Sequence, residues 1–143
     1  MVMLAVIETI DTEVEARLGL IGVAELTVEA SGDPSNFPAL DIKASRWEPV
    51  NGQEPDTTYY NYFVSVEGNV EGGSGVDARR ARNALYRAVV NAVVSDNDYS
   101  GLIEWVEERG TRPGVAILAD KRRLSFVTEF CFHFPAAIND PAI

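Results

Sequence analysis

The sequence predicts an α+β domain with a single, mostly antiparallel sheet and its helices packed on one face. Two groups of segments alternate apolar with polar residues at period two, one between residues 23 and 70 and one between residues 115 and 134. A long helical stretch from Gly72 to Ser95 separates the groups, and a shorter helix opens the chain. The chain has 143 residues, 46% hydrophobic and 24% charged, with no internal repeat, so it reads as one domain over 1–143. A domain of that size buries roughly 68–70% of its unfolded surface and needs no staple.

From Val2 to Leu18, Met3, Ile7, Ile10, Val14 and Leu18 recur at helical spacing, while Glu8, Asp11, Glu13 and Glu15 fill the other face. Gly19 offers the stop. Val23 to Ala30 alternates as a strand, and Ser31-Gly32-Asp33-Pro34-Ser35-Asn36 breaks it. A second strand runs from Ala39 to about Trp47, with Leu40, Ile42 and Ala44 on one face and Asp41, Lys43, Ser45 and Trp47 on the other. Pro49 to Asp56 holds two prolines and an Asn-Gly pair and is expected to be an exposed loop.

Thr58 to Val70 is the longest strand, with Tyr60, Tyr62, Val64 and Val66 on one face and Tyr59, Asn61, Phe63, Ser65 and Glu67 on the other. Aromatics on both faces imply cover on both, by helices on one side and by a neighbouring copy or a loop on the other. The following helix shows an apolar stripe of Ala81, Leu85, Ala88 and Ala92, widened by Val89 and Val93, with Ser74 or Asp77 as its cap. Ser100 then caps a short helix holding Leu102, Ile103, Trp105 and Val106, ending at Gly110. Val115–Ala119 and Leu124–Phe134 form a hairpin around Asp120–Arg123, and Phe126, Phe130, Phe132 and Phe134 share its core face. Residues 135–143 carry no pattern and are expected to be a loose tail.

The formal net charge of -10 disfavours broad nucleic-acid binding, which draws on Lys and Arg. No stretch is long enough to span a membrane, and the apolar N-terminal run lacks the basic segment of a signal peptide. A single cysteine, Cys131, points to a reducing compartment.

Chemistry-bearing patterns are sparse. Cys131, His133 and Glu129 share a strand face, but one His and one Cys do not make a metal site without further ligands, and parallel side chains make a poor nucleophile–base pair. A hydrolase or metal enzyme would need acids converging on His133. Gly68 to Gly75 lacks the Gly-Lys-Ser/Thr ending of a phosphate loop and reads as a turn. Asp96 and Asp98 lack the calcium-loop pattern and read as a helix stop. No catalytic residue, cofactor or metal is therefore expected. Arg79, Arg80, Arg82 and Arg87 place four of the twelve basic residues on one helix. Arginine suits pairing with an acidic surface on another copy, so these four, with Tyr59 and Phe63, are the candidate subunit or partner contacts.

The order of elements resembles a known family. An acidic first helix leads to Phe37-Pro38-Ala39-Leu40-Asp41-Ile42 and then to Tyr60-Asn61-Tyr62-Phe63-Val64-Ser65-Val66-Glu67-Gly68. A Gly-rich turn opens the helix with Arg82-Asn83-Ala84-Leu85-Tyr86-Arg87-Ala88-Val89-Val90, and a Phe-rich strand closes the domain. From Val2 to Phe134 this is similar to the tail terminator, or tail completion, proteins of long-tailed bacteriophages and phage-like gene transfer agents. It departs from them at Gly19–Gly32, where a strand-like acidic segment replaces a short link. The resemblance implies a structural virion protein, assembled in a bacterial cytoplasm and located in the tail. It implies a homo-oligomeric ring, a hexamer, that caps the tail tube, stops its growth and docks the head-neck connector protein while DNA passes through unbound. An acidic passage suits that sliding. The alternative from the residues alone is a small-ligand-binding or regulatory module using the aromatic face around Tyr59 and Phe63 as a pocket.

Overall fold

The computed structural model describes residues 3–50, 57–118 and 121–137. Their order is α1 (Met3–Gly19), β1 (Glu25–Val28), β2 (Ala39–Val50), β3 (Thr57–Gly72), α2 (Gly75–Val94), β4 (Trp105–Leu118) and β5 (Lys121–Ala137). The five strands form one sheet in the order β1-β2-β3-β5-β4, antiparallel throughout except for the parallel β1–β2 pair. The α+β class stands, with both helices on one face of the sheet.

The first helix buries Met3, Val6, Ile7, Ile10, Val14 and Leu18, the face its periodicity predicts. Its Asp11 accepts a 2.6 Å hydrogen bond from the hydroxyl of fully buried Tyr62, tying α1 to β3. Burial raises the pKa of both groups, and the bond to Tyr62 offsets part of the rise at Asp11. At the other end, the Arg17 guanidinium donates to the carbonyls of Ala92 and Val93 and pairs with Asp96 at 3.3 Å. A cation on the last carbonyls of α2 satisfies acceptors that no helical partner reaches, and it complements the helix dipole. Ser74 caps the other end of α2, its Oγ accepting from the Asp77 N–H at 3.2 Å.

The buried face of α2 is Ala78, Leu85, Val89 and Val93. It keeps Leu85, Val89 and Val93 of the expected stripe but is turned away from its alanines, because larger side chains recover more apolar area and pull the helix round. Ala81 and Ala84 are exposed, and Ala88 and Ala92 half-buried.

The short helix expected after Ser100 does not form. Tyr99, Ser100 and Gly101 have positive φ (51°, 58° and 86°), which helical residues do not adopt, and the chain turns there instead. Tyr99 anchors the turn by donating to the Val93 carbonyl at 2.7 Å, and Glu104 N–H to His133 O starts the ladder with β5. Trp105 onward is then strand β4, whose 14 residues run through Pro113-Gly114 without a break. Proline is tolerated because β4 is an edge strand, where an N–H is not required. The same reason holds at Pro49, opposite Tyr60, since β1 pairs with β2 only over Ala39–Ile42. The strand β2 thus takes in Pro49 and Val50, and the rest of the expected loop, 51–56, lies outside the described residues. β5 extends to Ala137, pairing Pro135–Ala137 with Tyr59–Thr57, while 138–143 and the hairpin turn at 119–120 also lie outside them.

A bulge between Ala44 and Arg46 switches the faces of the later residues of β2. Trp47 consequently sits opposite Tyr62 on the helix side, where it is 49% exposed, and not with the outward polar residues as the alternation predicts.

Where α2, β4 and β5 meet, one carboxylate organises a polar cluster. Glu108 accepts from the hydroxyls of Tyr86 (2.6 Å), Thr111 (2.6 Å) and fully buried Thr128 (2.6 Å). Partial burial pushes the Glu108 pKa up, but hydrogen bonds from Thr111, Thr128 and Tyr86 outweigh it, and the pKa lies below the ordinary value. A carboxylate whose folded pKa is depressed contributes stability in full above its unfolded pKa, roughly 4.3, and loses that contribution as pH falls through the folded value. Glu108→Gln is therefore expected to cost about 1 kcal/mol at pH 7, held to that size by solvent near the site. The gap between variant and wild type should narrow below about pH 4. Urea unfolding of both proteins from pH 7 to pH 3 measures it, and a gap independent of pH would contradict the assignment. Asp11, whose raised pKa acts in the opposite sense, is common to both proteins and cancels in the difference.

Candidate assembly interface

The helix-free face of the sheet carries β3 residues Tyr59, Asn61, Phe63 and Ser65 beside β5 residues His133, Cys131 and Glu129, with β4 residues Trp105 and Glu107 beyond. Three rings stack across three strands. Tyr59 lies 5.2 Å from His133 with planes 9° apart, and Trp105 lies 4.8 Å from the other face of His133 at 7°. Asn61 Oδ1 meets His133 Nδ1 at 2.8 Å, which orients the imidazole. Burial lowers the pKa of His133, with Glu104 pulling the other way, which favours the neutral imidazole. Neutral and sandwiched, His133 works as a stacking plate in this face.

Phe63 is 5% exposed because Arg46, released to this side by the bulge, lies over its ring at 3.9 Å and reaches Glu129 at 3.7 Å. Cys131 is fully buried and its thiol pKa is raised by burial, against the influence of Arg109. The aromatic face expected as a ligand pocket around Tyr59 and Phe63 is thus closed at both residues by the chain's own side chains. Among the described residues, no group of three or more His, Cys, Asp and Glu side chains could hold a metal ion.

On α2, Arg79, Arg80 and Arg87 are exposed and Arg82 is half-buried, and none of the four forms an ion pair among the described residues. The structure does not bring them together with Tyr59 and Phe63. The arginines lie on the helical layer, and the two aromatics lie across the sheet from it. Arg80 and Arg87 share the outward face of the helix, seven residues apart, while Arg79 turns toward its flank and half-buried Arg82 lies in line with Ala78, Leu85 and Val89 of the buried stripe.

Beside the arginines lies a feature that sequence reasoning missed. The exposed alanines of α2 form one wall of an apolar groove of about 710 Å³, closed by Ile21, Val23, the Phe37-Pro38 pair and the Val70–Gly73 end of β3. Its signal in the sequence was Ala81, Ala84 and Ala88, a small-residue row that periodicity alone assigns to the core.

Both sheet edges are guarded. β4 has a bulge at Arg109 and Pro113; on the other side the edge strand β1 is only four residues long, and the stretch of β2 beyond it carries Lys43, Arg46, Glu48 and Pro49. Charges, bulges and prolines discourage edge-to-edge pairing, so contacts with other chains fall to faces.

Comparison of the sequence with protein-family models gives no match, and comparison with curated proteins gives none. Among solved structures, a chain in the virion of a native gene transfer agent particle is similar, at 11% identity and a TM-score of 0.43. The match covers 87% of this chain and 91% of that one. At that level the likeness carries no argument about function.

Proposed function

We propose that the protein is a structural component of a phage-like virion, which caps the tail tube as a homo-oligomeric ring, a hexamer. In that position it stops tube polymerisation and offers a docking face to the head-neck connector protein. The observation that carries the reading is the one-sided architecture. Both helices cover one face of a five-stranded sheet. On the other, the 30–37 loop reaches only the end near Asp41, Asn69 and Arg123, through Ala30 N–H to Asp41 and Asp33 to Arg123, and no helix among the described residues covers the rest. Faces left open on a chain with guarded edges suit lateral contact between copies. The family resemblance in element order supplies the tail-terminator role, and the net charge of -10 suits a passage that DNA traverses without adhering. The mechanism is contact geometry, with no bond made or broken, in the tail of a particle assembled in the bacterial cytoplasm.

Adding the protein to polymerising tail-tube protein and measuring tube lengths by electron microscopy tests the capping role. Tubes should stop short, with extra density at one end. Lengths unchanged from the tube protein alone would refute it.

A second reading, a small-ligand-binding or regulatory module, draws on the apolar groove, whose volume of about 710 Å³ falls in the range of ligand pockets. It predicts a monomer or dimer stabilised by an apolar ligand.

A further inference from the structure

The two helices present outward faces of opposite charge. On α1, Asp11 is engaged by Tyr62 and Glu13 by Arg17, which leaves Glu8 and Glu15 exposed, with no hydrogen bond or ion pair to either side chain among the described residues. On α2, Arg80 and Arg87 are in the same condition. Each pair is seven residues apart, nearly two full turns, so each projects from one helix face with its members about 10 Å apart along the axis. The spacings match. With the helices antiparallel, Glu15 meets Arg80 and Glu8 meets Arg87. That orientation also brings Leu20, 88% exposed just beyond α1, to the end of α2 that carries Val76, 56% exposed in the first turn. Between the charges stand Asp11 and Thr12 on one helix and Asn83 and Ala84 on the other, all of them small or short polar side chains.

We infer that the acidic face of α1 in one copy docks antiparallel on the basic face of α2 in a second copy. The partner is this same chain, because its own α1 supplies acids at the required spacing and neither set is paired internally. The contact goes beyond the ring reading and does not depend on it. Repeated head to tail it builds a ring, and made twice about a two-fold axis it closes a pair.

Charge reversal tests the contact in the full chain. All four charges are exposed, so Arg80→Glu/Arg87→Glu and Glu8→Arg/Glu15→Arg should fold normally, as circular dichroism would verify. Each double variant alone should self-associate at least about 100-fold more weakly than wild type in sedimentation equilibrium, since two facing like-charge pairs oppose association. The Glu8→Arg/Glu15→Arg protein is less acidic overall and yet should associate more weakly, which separates a specific contact from general charge repulsion. An equimolar mixture of the two variants should regain association to within about tenfold of wild type, because each then finds an oppositely charged face. Association of either variant at wild-type strength, or a mixture that does not recover, overturns the contact and leaves the ring standing if wild type still forms one. A wild type that stays monomeric at every concentration overturns the contact, and the ring as well if tail-tube protein leaves it monomeric. Recovery as a pair supports the contact, and overturns the ring if no larger species forms when tail-tube protein is added.

Discussion

Phe132→Ala is expected to lower the unfolding free energy by about 3–5 kcal/mol, a large share of the 5–15 kcal/mol typical of a domain. Phe132 is fully buried on the helix side of β5. Its ring meets Tyr99 edge-on at 5.4 Å and Tyr62 at 6.4 Å. Tyr99 holds the end of α2 and Tyr62 holds α1, so a cavity at Phe132 would loosen both helices from the sheet at once. Urea unfolding read by tyrosine and tryptophan fluorescence measures the loss. A change under about 1 kcal/mol would mean that the neighbours collapse into the space and that the ring is not a common support for the two helices.

Gly68→Ala should cost about 1–3 kcal/mol for the opposite reason, crowding. A Cβ at Gly68 would stand 2.3 Å from Cε1 of Phe126, which lies opposite it in β5. Phe126 is itself 2% exposed and packed edge-on against Tyr86, so its ring has little room to move. The aromatic ring thus occupies the space that a glycine leaves in a strand. The clash depends on the ring, so Gly68→Ala should cost far less in a Phe126→Leu background. A double-mutant cycle would read that coupling as a non-additive term above about 0.5 kcal/mol. Additive effects would place the ring elsewhere.

These two residues also mark how far the sequence can be read. Phe132 is visible as core because Leu124, Phe126, Phe130, Phe132 and Phe134 recur at period two on one face, broken in polarity only at Thr128. The helix α1, the strand β3 and the capped start of α2 are legible for the same reason. The region after α2 misleads, since Leu102, Ile103 and Val106 repeat at helical spacing and nothing in their composition reveals the left-handed backbone at Tyr99, Ser100 and Gly101. Its true signal is the pairing of Trp105 with His133 and Val106 with Phe132, which is long-range and invisible to a local window. A one-residue bulge inverts every later side chain on a strand, and this one puts Trp47 on the face opposite to the one its alternation predicts.

The candidate interface is legible in part. The basic helix stands out by composition, because four arginines in an acidic chain are conspicuous. Its partner does not. That Glu8 and Glu15 are the unengaged acids of α1 emerges only once Tyr62 and Arg17 are seen to take Asp11 and Glu13. Likewise the pattern leaves Tyr59 and Phe63 awaiting a partner, and the fold supplies His133 and Arg46 from its own chain.

Assembly of copies of this chain into a tube-capping ring is open to a single decisive measurement. That measurement is the solution mass of the purified protein across a concentration series, by light scattering coupled to size exclusion, with and without tail-tube protein. A six-subunit species is expected, formed either by the protein alone or when tail-tube protein is added. A protein that remains a monomer or dimer at every concentration, indifferent to tail-tube protein, would contradict the ring.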